Sequence, residues 1–373
     1  MSGRWNRLTR GETTIDFYGR KKVGFLASGV LLLATVVSLL AQGLNLGIDF
    51  KGGVSWEAPV TKTMALVDAQ KVVEDAGISG RDAKFQTLSS GADQRVRIQT
   101  GTQTDAKSKE VQASLAKKAG VDTQEVSIAT VSSTWGRSIT MKALRALLVF
   151  MLLVSLYISW RFEWGMAVSA IIAMIHDVGI SVGVYSLLGL EVTPATVVAF
   201  LTILGFSLYD TIVVFDKVHD NTNRFSGSRV SYGDVVNVSM NQVLMRSLNT
   251  SIAALLPVLS LLVLGAGVFG AVALEEFALA LLVGLATGAY SSIFIAAPLL
   301  GIIKERDPKY ASAKGQLSLG ENMAHLMATG APTGRRGAVV TTASDLTGRP
   351  EGAAIAAEAV LSHPPRPRKK ARR

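Results

Sequence analysis

The 373-residue sequence has no cysteine, and only 18% of its residues are charged and 7% aromatic. Without cysteine the chain cannot form disulfide bonds, thiolate metal sites or a cysteine nucleophile. The GxxxxGK[ST] phosphate loop and the HExxH metalloprotease motif are absent, and no GxSxG motif lies at a predicted strand-to-helix turn. We therefore expect a protein that is not an enzyme, has no nucleotide site of its own and uses no metal or other cofactor.

Apolar residues are abundant instead: they make up 49% of the chain, and the mean hydropathy is +0.35. A helix needs about 20 apolar residues to cross the roughly 30 Å hydrocarbon layer of a membrane. Blocks of that length predict six membrane-spanning helices, near residues 23–41, 142–160, 165–188, 195–217, 248–265 and 274–303. The first block is too long for a cleavable signal, so we expect a retained anchor.

Two of these blocks contain glycines spaced four residues apart. Gly179 and Gly183 lie in the third block, and Gly284 and Gly288 lie in the sixth. Such GxxxG-like steps predict close helix packing. We also expect the second pair to interrupt the long sixth helix.

The distribution of basic residues predicts the orientation in the membrane, because short cytoplasmic loops are enriched in Lys and Arg. The connections 189–194 and 266–273 contain neither residue. Basic residues lie instead in stretch 1–22, after the second block, in the connection 217–246 and in the tail 304–373, and include Arg4, Arg7, Arg10, Arg161, Lys217, Arg224, Arg229, Arg246 and Lys304. We expect a multi-pass protein of the cell inner (plasma) membrane with both termini in the cytoplasm.

The net charge of +10 comes mostly from the C-terminal tail. Basic residues close to a cytoplasmic membrane surface gain about 1 kcal/mol each from anionic lipid. We therefore expect the tail to contact anionic lipid, and we expect no nucleic-acid partner. After about residue 311, Gly, Ala, Thr, Ser and Pro dominate without periodicity, which predicts disorder.

A soluble stretch, 44–137, separates the first two blocks. Alternating patterns predict strands, and patterns with helical spacing predict helices, in the order β-α-β-β-α-β: 54–57, 64–76, 82–88, 94–99, 105–119 and 124–131. This order is typical of a small α+β ferredoxin-like domain. The predicted fold class is thus mainly α: a polytopic bundle with five helices in 142–303, the anchor helix, and a ferredoxin-like extracytoplasmic domain.

Asp210 lies well inside the fourth apolar block. A carboxylate in hydrocarbon costs on the order of 2.5–3.5 kcal/mol on insertion scales, so it usually has a task. Burial favours its neutral form, and a nearby cation would favour the charged form. Arg246, at the start of the fifth block, could pair with Asp210 or line a water-filled path, or it could extend its charge to the cytoplasmic surface. A role of Asp210 in tying helices together is the alternative to proton handling.

Other polar residues extend this hypothesis. His176 and Asp177 lie near the middle of the third block, where they could form a proton relay with Asp210 or could serve only helix packing. Asn249 and Thr250, one turn beyond Arg246, could relay protons, although hydrogen bonds between helices are the simpler role. For Asp216, nearer the cytoplasm, we expect a solvated helix end.

Four segments resemble the signature segments of a known family: GIDFKGGVSWE at 47–57, HDVGISVGVYSL at 176–187, LTILGFSLYDTIVVFDKVHDN at 201–221 and RSLNTSIAALLPVLSLLVLG at 246–265. Over about residues 15–310 the chain resembles the SecF family, accessory membrane subunits of the bacterial Sec protein-export machinery. The resemblance implies six helices of the RND transporter superfamily, forming half of a pseudo-symmetric unit that SecD would complete.

The resemblance also implies a function and partners. The implied function is to use the proton motive force, together with SecD, to drive late-stage translocation and release of a translocating polypeptide. The implied partners are SecD, the SecYEG channel with SecA, and YajC and YidC. It places Asp210 and Arg246 in the proton pathway. Two residues depart from the family pattern: Tyr209 replaces the usual Asn, which could alter the hydrogen bonding of Asp210, and Lys51 replaces the usual Thr. The long tail resembles actinobacterial members.

Two alternatives to this function remain open. One is a half-size RND-type subunit that transports lipid or small molecules, although such transporters usually have about twice as many spans. The other is a structural scaffold of the translocon in which the intramembrane charges only brace helices. The residues leave open whether the coupling ion is H⁺ or Na⁺, because a carboxylate serves both.

Overall fold

The computed structural model describes residues 13–80, 83–90, 93–226, 230–268, 272–311, 313 and 315–332. Its α-helices are α1 (Lys21–Ala41), α2 (Ile48–Lys51), α3 (Leu66–Asp75), α4 (Asp105–Ala119), α5 (Ser133–Arg161), α6 (Trp164–Leu188), α7 (Pro194–Arg224), α8 (Tyr232–Ser260), α9 (Val272–Ser291), α10 (Ala297–Lys304), α11 (Pro308–Ala311) and α12 (Glu321–Thr329). Its strands are β1 (Asn45–Leu46), β2 (Gly53–Pro59), β3 (Ala83–Ser90), β4 (Asp93–Thr100), β5 (Ser127–Val131) and β6 (Glu191–Val192).

In the described part of the chain, six helical segments are long and apolar enough to cross a membrane. They are formed by α1, α5, α6, α7, α8 with the π-helical segment Leu261–Val268 that continues it, and the continuous α9–α10 unit. Each contains one of the predicted blocks. The chain is therefore a multi-pass membrane protein. The expectation of a loop over 217–246 is wrong, because α7 continues to Arg224 and α8 begins at Tyr232, capped by the Ser231 hydroxyl. Hydropathy detects only the apolar part of a helix, so it could not predict the polar end of α7 or the polar start of α8.

The ferredoxin-like topology is confirmed. The sheet order is β3-β4-β2-β5, and every neighbouring pair is antiparallel. Helices α3 and α4 cover one face, where Trp56, Ile98 and Leu115 are fully buried. The predicted final strand begins later than expected, because Thr123–Glu125 forms a short 3₁₀ turn before β5.

The GxxxG-like steps are points of close helix packing, as predicted. A Cβ atom on Gly284 or Gly288 would collide with Ile203 or Ser207 of α7. Gly183 of α6 faces Thr35 of α1 in the same way.

The sixth segment is not interrupted at its glycines. The α-helical pattern changes instead at Ser292–Ala296, which forms a π-turn between α9 and α10. Pro298 follows at once, and a proline ring has no N–H for the carbonyl of Phe294 and collides with it in a regular α-helix. The wider turn accommodates the proline without ending the helix.

The first turns of α8 lie under the segment that precedes α1. Asn241 exchanges two hydrogen bonds with the backbone of Ile15, each 2.8 Å long. The side-chain Oδ1 of Asn237 accepts from the Tyr18 N–H at 2.7 Å, and its Nδ2 donates to Asp16 at 2.9 Å. Two buried amide side chains thus fix the entry into the first span.

The tail helix α12 packs on the same region. Met323 and Leu326 are fully buried there, and the Ser318 N–H donates to Asp234 of α8 at 2.6 Å. The expectation of disorder after residue 311 is therefore wrong for 315–332, while 333–373 lies outside the described residues. The apolar side chains recur at helical spacing only within this short stretch, and the average composition of the tail hides them.

Candidate functional site

Two carboxylates lie buried near the middle of neighbouring membrane helices. Asp177 of α6 is 0% exposed, and Asp210 of α7 is 7% exposed. Each lies more than ten residues from both ends of its helix, roughly 15 Å or more at 1.5 Å per residue. At that depth an unpartnered polar group would be costly, so their hydrogen-bond partners define the site.

Asp177 accepts three hydrogen bonds. Its Oδ2 accepts from the Ser207 hydroxyl at 2.6 Å and from the Ser291 hydroxyl at 2.8 Å. Its Oδ1 lies 3.0 Å from His176 Nδ1, which donates to the carboxylate in the tautomer that carries its hydrogen on Nδ1. The side chain thereby joins α6 to α7 and to the end of α9.

Asp210 is held in a similar way by two different serines. Its Oδ2 accepts from the Ser247 hydroxyl of α8 at 2.6 Å and from the Ser292 hydroxyl of the π-turn at 2.7 Å. Both serines are at least 99% buried. Asp210 therefore links α7 to α8 and to the π-turn, and four helical segments meet at the two acids.

Ser291 and Ser292 are adjacent in sequence, yet each donates to a different acid. Neighbouring residues on a helix point about 100° apart, which allows one segment to reach α6 and α7 at once. The step lies where α9 passes into the π-turn, and such turns are frequent at functional sites. A hydroxyl can donate one hydrogen bond while it accepts another, so serines next to carboxylates are suited to passing protons.

A cavity of about 40 Å³ lies beside Asp210. Polar residues that line it include Ser207, Tyr209 and Thr250, and Phe206 and Leu285 are among its apolar residues. A buried water needs about 10–15 Å³ of such space and two or more polar partners, so the cavity has room for a few waters.

His176 is 6% exposed, and its Nε2 atom is buried without a hydrogen-bond partner among the described residues. Its ring stacks on Tyr290 with 6.4 Å between centroids. The Tyr290 hydroxyl donates to the Gly24 carbonyl of α1 at 2.8 Å. The His176 ring thus lies between Asp177 and the Tyr290 ring, which is itself bonded to α1.

None of the remaining predicted residues bonds to either acid among the described residues. Arg246 is exposed, and among the described residues it forms no ion pair with Asp210; the next residue, Ser247, faces the acid instead. Asn249 is also exposed, whereas Thr250 borders the cavity. Asp216 is exposed, but it is not at a helix end as expected, because α7 continues to Arg224. Tyr209 is 51% exposed and lines the cavity, and both hydrogen bonds of Asp210 come from serines.

The sequence interpretation missed the serine partners Ser207, Ser247, Ser291 and Ser292. One signal was present: Ser207, Ser291 and Ser292 are small polar residues inside apolar blocks, and Ser247 directly precedes one. Ser207 also lies one turn before Asp210. Serine is common in membrane helices, however, where it often bonds to its own backbone. Only tertiary packing distinguishes the four that contact an acid.

Comparison with known proteins places these residues in a family. Residues 110–306 match the C-terminal region model of the protein export membrane proteins SecD and SecF, and 37–64 match the SecD/SecF GG motif. The protein translocase subunit SecF of Streptomyces coelicolor is 41% identical over 83% of this chain and 82% of its own. SecF of Mycobacterium tuberculosis strain H37Rv is also 41% identical, over 81% of this chain and 70% of its own.

Solved structures agree with these matches. The crystal structure of SecDF from Thermus thermophilus, described as a translocon-associated membrane protein, superposes with a TM-score of 0.71 at 32% identity. The match covers 79% of this chain and 39% of that longer chain. The expected resemblance, including that to actinobacterial members, is confirmed, and so is the fold class. The chain belongs to the SecD/SecF family of protein export membrane proteins, as a SecF-type translocase subunit.

Proposed function

We propose that this chain is an accessory subunit of the Sec translocase that uses the proton motive force, together with SecD, to drive late-stage polypeptide translocation and release. The observation that supports coupling is the buried pair Asp177 and Asp210, each bonded to two serine hydroxyls. Carboxylates that only brace helices would need no adjoining space for water. Asp210 borders a cavity that can hold water.

Proton uptake by Asp210 would change helix packing directly. The ionised carboxylate is an acceptor only, and it holds Ser247 and Ser292 as donors. Hydrogen bonds to a charged group contribute about 1.5–3 kcal/mol each, roughly twice the contribution of neutral ones. Protonation therefore weakens the ties from α7 to α8 and to the π-turn. Asp177 with His176 forms the second station of the relay, and Thr250 helps to hold water beside Asp210.

Arg246 belongs to this proposal through the missing half of the assembly. Six spans make half of a pseudo-symmetric transporter unit, and the Thermus relative joins both halves in one chain named SecDF. Arg246 and Asn249 are exposed on α8, one turn or less from Ser247. SecD would cover this face, and the guanidinium would then line the proton path or pair with a carboxylate.

The wider setting completes the proposal. The ferredoxin-like domain, 44–137, faces outward from the plasma membrane, and both termini and the basic tail lie in the cytoplasm beside anionic lipid. The SecYEG channel with SecA, and YajC and YidC, are the proposed partners, and the translocating polypeptide is the substrate.

The test is Asp210→Asn in vesicles that contain the complete translocase and SecD. We expect the complex to assemble and the gradient-dependent stage of export to be lost, because an amide cannot ionise. Asp216→Asn is the matched control, since it removes an exposed carboxylate from the same helix. Export by the Asp210 variant that still responds to the gradient would disprove the coupling and favour a scaffold.

A further inference from the structure

A second buried carboxylate site lies outside the proton relay. Glu191 belongs to β6, in the short connection between α6 and α7, and is 5% exposed. An ionised carboxylate so deeply buried is costly unless it is paired. Its partners come from the ferredoxin-like domain, which makes the site a junction between that domain and the bundle.

The two carboxylate oxygens of Glu191 bond to neighbouring strands of the domain. Oε1 accepts from Gln99 Nε2 of β4 at 2.8 Å, and Oε2 lies 3.2 Å from Lys84 Nζ of β3. Gln99 is 9% exposed, so this hydrogen bond is closed to solvent. Gly47 lies underneath, and a Cβ atom there would come within 2.6 Å of Oε1.

The same connection is also hydrogen-bonded to β1 and to the residues beside it. β6 pairs with β1 as a two-residue parallel ladder, with Asn45 opposite Glu191. The Asn45 side chain donates to the Gly189 carbonyl at 2.8 Å, and the Gly47 N–H donates to the Val192 carbonyl at 3.0 Å. The connection is therefore clamped between the end of the anchor helix and the domain.

The charge of Glu191 also affects a neighbouring carboxyl group, that of Asp49. Burial and the nearby Glu191 carboxylate raise the pKa of Asp49, and Arg97 acts in the opposite direction. A negative charge concentrated here needs Lys84 and Gln99 as partners. Loss of Glu191 would leave a buried amide and a lysine without their acceptor, which costs more than an exposed ion pair is worth.

The position of the connection relates this junction to the two buried acids. It joins α6 directly to α7, the two helices that contain Asp177 and Asp210. We propose that Glu191 is a positioning residue that fastens the ferredoxin-like domain to the α6–α7 hairpin, so that movement of the domain and rearrangement at the buried acids occur as one motion. The inference deepens the proposed function and rests on it.

The first test compares Glu191→Ala with Glu57→Ala in the full translocase. Glu57 pairs with Arg97 at 2.8 Å, but both residues belong to the domain and are partly exposed. We expect gradient-dependent export to fall by about tenfold or more for Glu191→Ala, because a charged hydrogen-bonded pair is lost, and to stay near the parent level for the control. Equal export by both variants would overturn the inference.

The second test asks whether attachment itself is what matters. Because the chain has no native cysteine, Gln99→Cys and Glu191→Cys can be introduced together and joined by a short bismaleimide. We expect low export before the reaction and recovery after it, which a purely destabilised protein would not show. Full export without the link, or export that stays low with it, would overturn the inference.

Failure of the inference can be told from failure of the proposed function. If Asp210→Asn abolishes gradient-dependent export and Glu191→Ala does not, only the fastening role is wrong. If Asp210→Asn leaves export intact, proton coupling is wrong whatever Glu191 does.

Discussion

The burial of leucine side chains in and before the tail helix α12 predicts how strongly single substitutions weaken its docking. Leu326 is fully buried, and Leu319, seven residues earlier in the same segment, is 51% exposed. Replacing a buried leucine with alanine costs about 2–5 kcal/mol, because apolar area is lost and a cavity remains. The same change at an exposed site usually costs less than about 0.5 kcal/mol. Leu326→Ala should therefore weaken docking far more than Leu319→Ala.

The assay is amide hydrogen exchange of the full chain in lipid nanodiscs. Where exchange in α12 requires undocking, 2 kcal/mol corresponds to a rate increase of about 30-fold, since each 1.4 kcal/mol is tenfold. We expect that increase in α12 for Leu326→Ala, with faster exchange also in the first turns of α8. Leu319→Ala should leave both regions unchanged. Similar exchange in the two variants would refute the assignment of α12 as a docked element.

Two further predictions concern packing and charge. Gly284→Leu should lower the free energy of unfolding of the detergent-solubilised protein by about 1–3 kcal/mol, because Ile203 occupies the space that the new side chain needs. Gly205→Leu is the control and should not lower it, since a Cβ atom there meets nothing within 4 Å. Equal losses for the two variants would contradict the close approach of α7 and α9. Because the pKa of Asp49 is raised in the folded state, stability falls as pH rises above 3.8. Asp49→Asn should raise the thermal midpoint at pH 7 and not below pH 3.8; an equal gain at both pH values would contradict this.

The spans, the order of the ferredoxin-like elements and the position of Asp210 inside a membrane helix could all be predicted from sequence. Each depends on local information: run length, periodicity, or the cost of one charge in an apolar block. The partner of Asp210 could not be predicted in this way. Arg246 was at a suitable depth and had the opposite charge, yet a step of one residue rotates a side chain by about 100°, and Ser247 faces the acid.

Other features depend on contacts between distant segments. Nothing in the sequence indicates the role of Glu191 as a buried contact, because its partners Gln99 and Lys84 are about a hundred residues away in the chain. The tail helix likewise depends on the α8 surface that buries Met323 and Leu326. Neither packing surface can be recognised before the chain is folded.

The adjacency of Ser291 and Ser292 has a consequence for how the two acids behave. Their hydroxyls are fixed to one rigid helical step, so any rotation of that helix about its axis turns both by the same angle. Such a rotation would therefore act on the hydrogen bonds to Asp177 and Asp210 at the same time, although the acids lie on different helices. Two buried acids 33 residues apart in the chain are thus tied to one short stretch of a third helical segment.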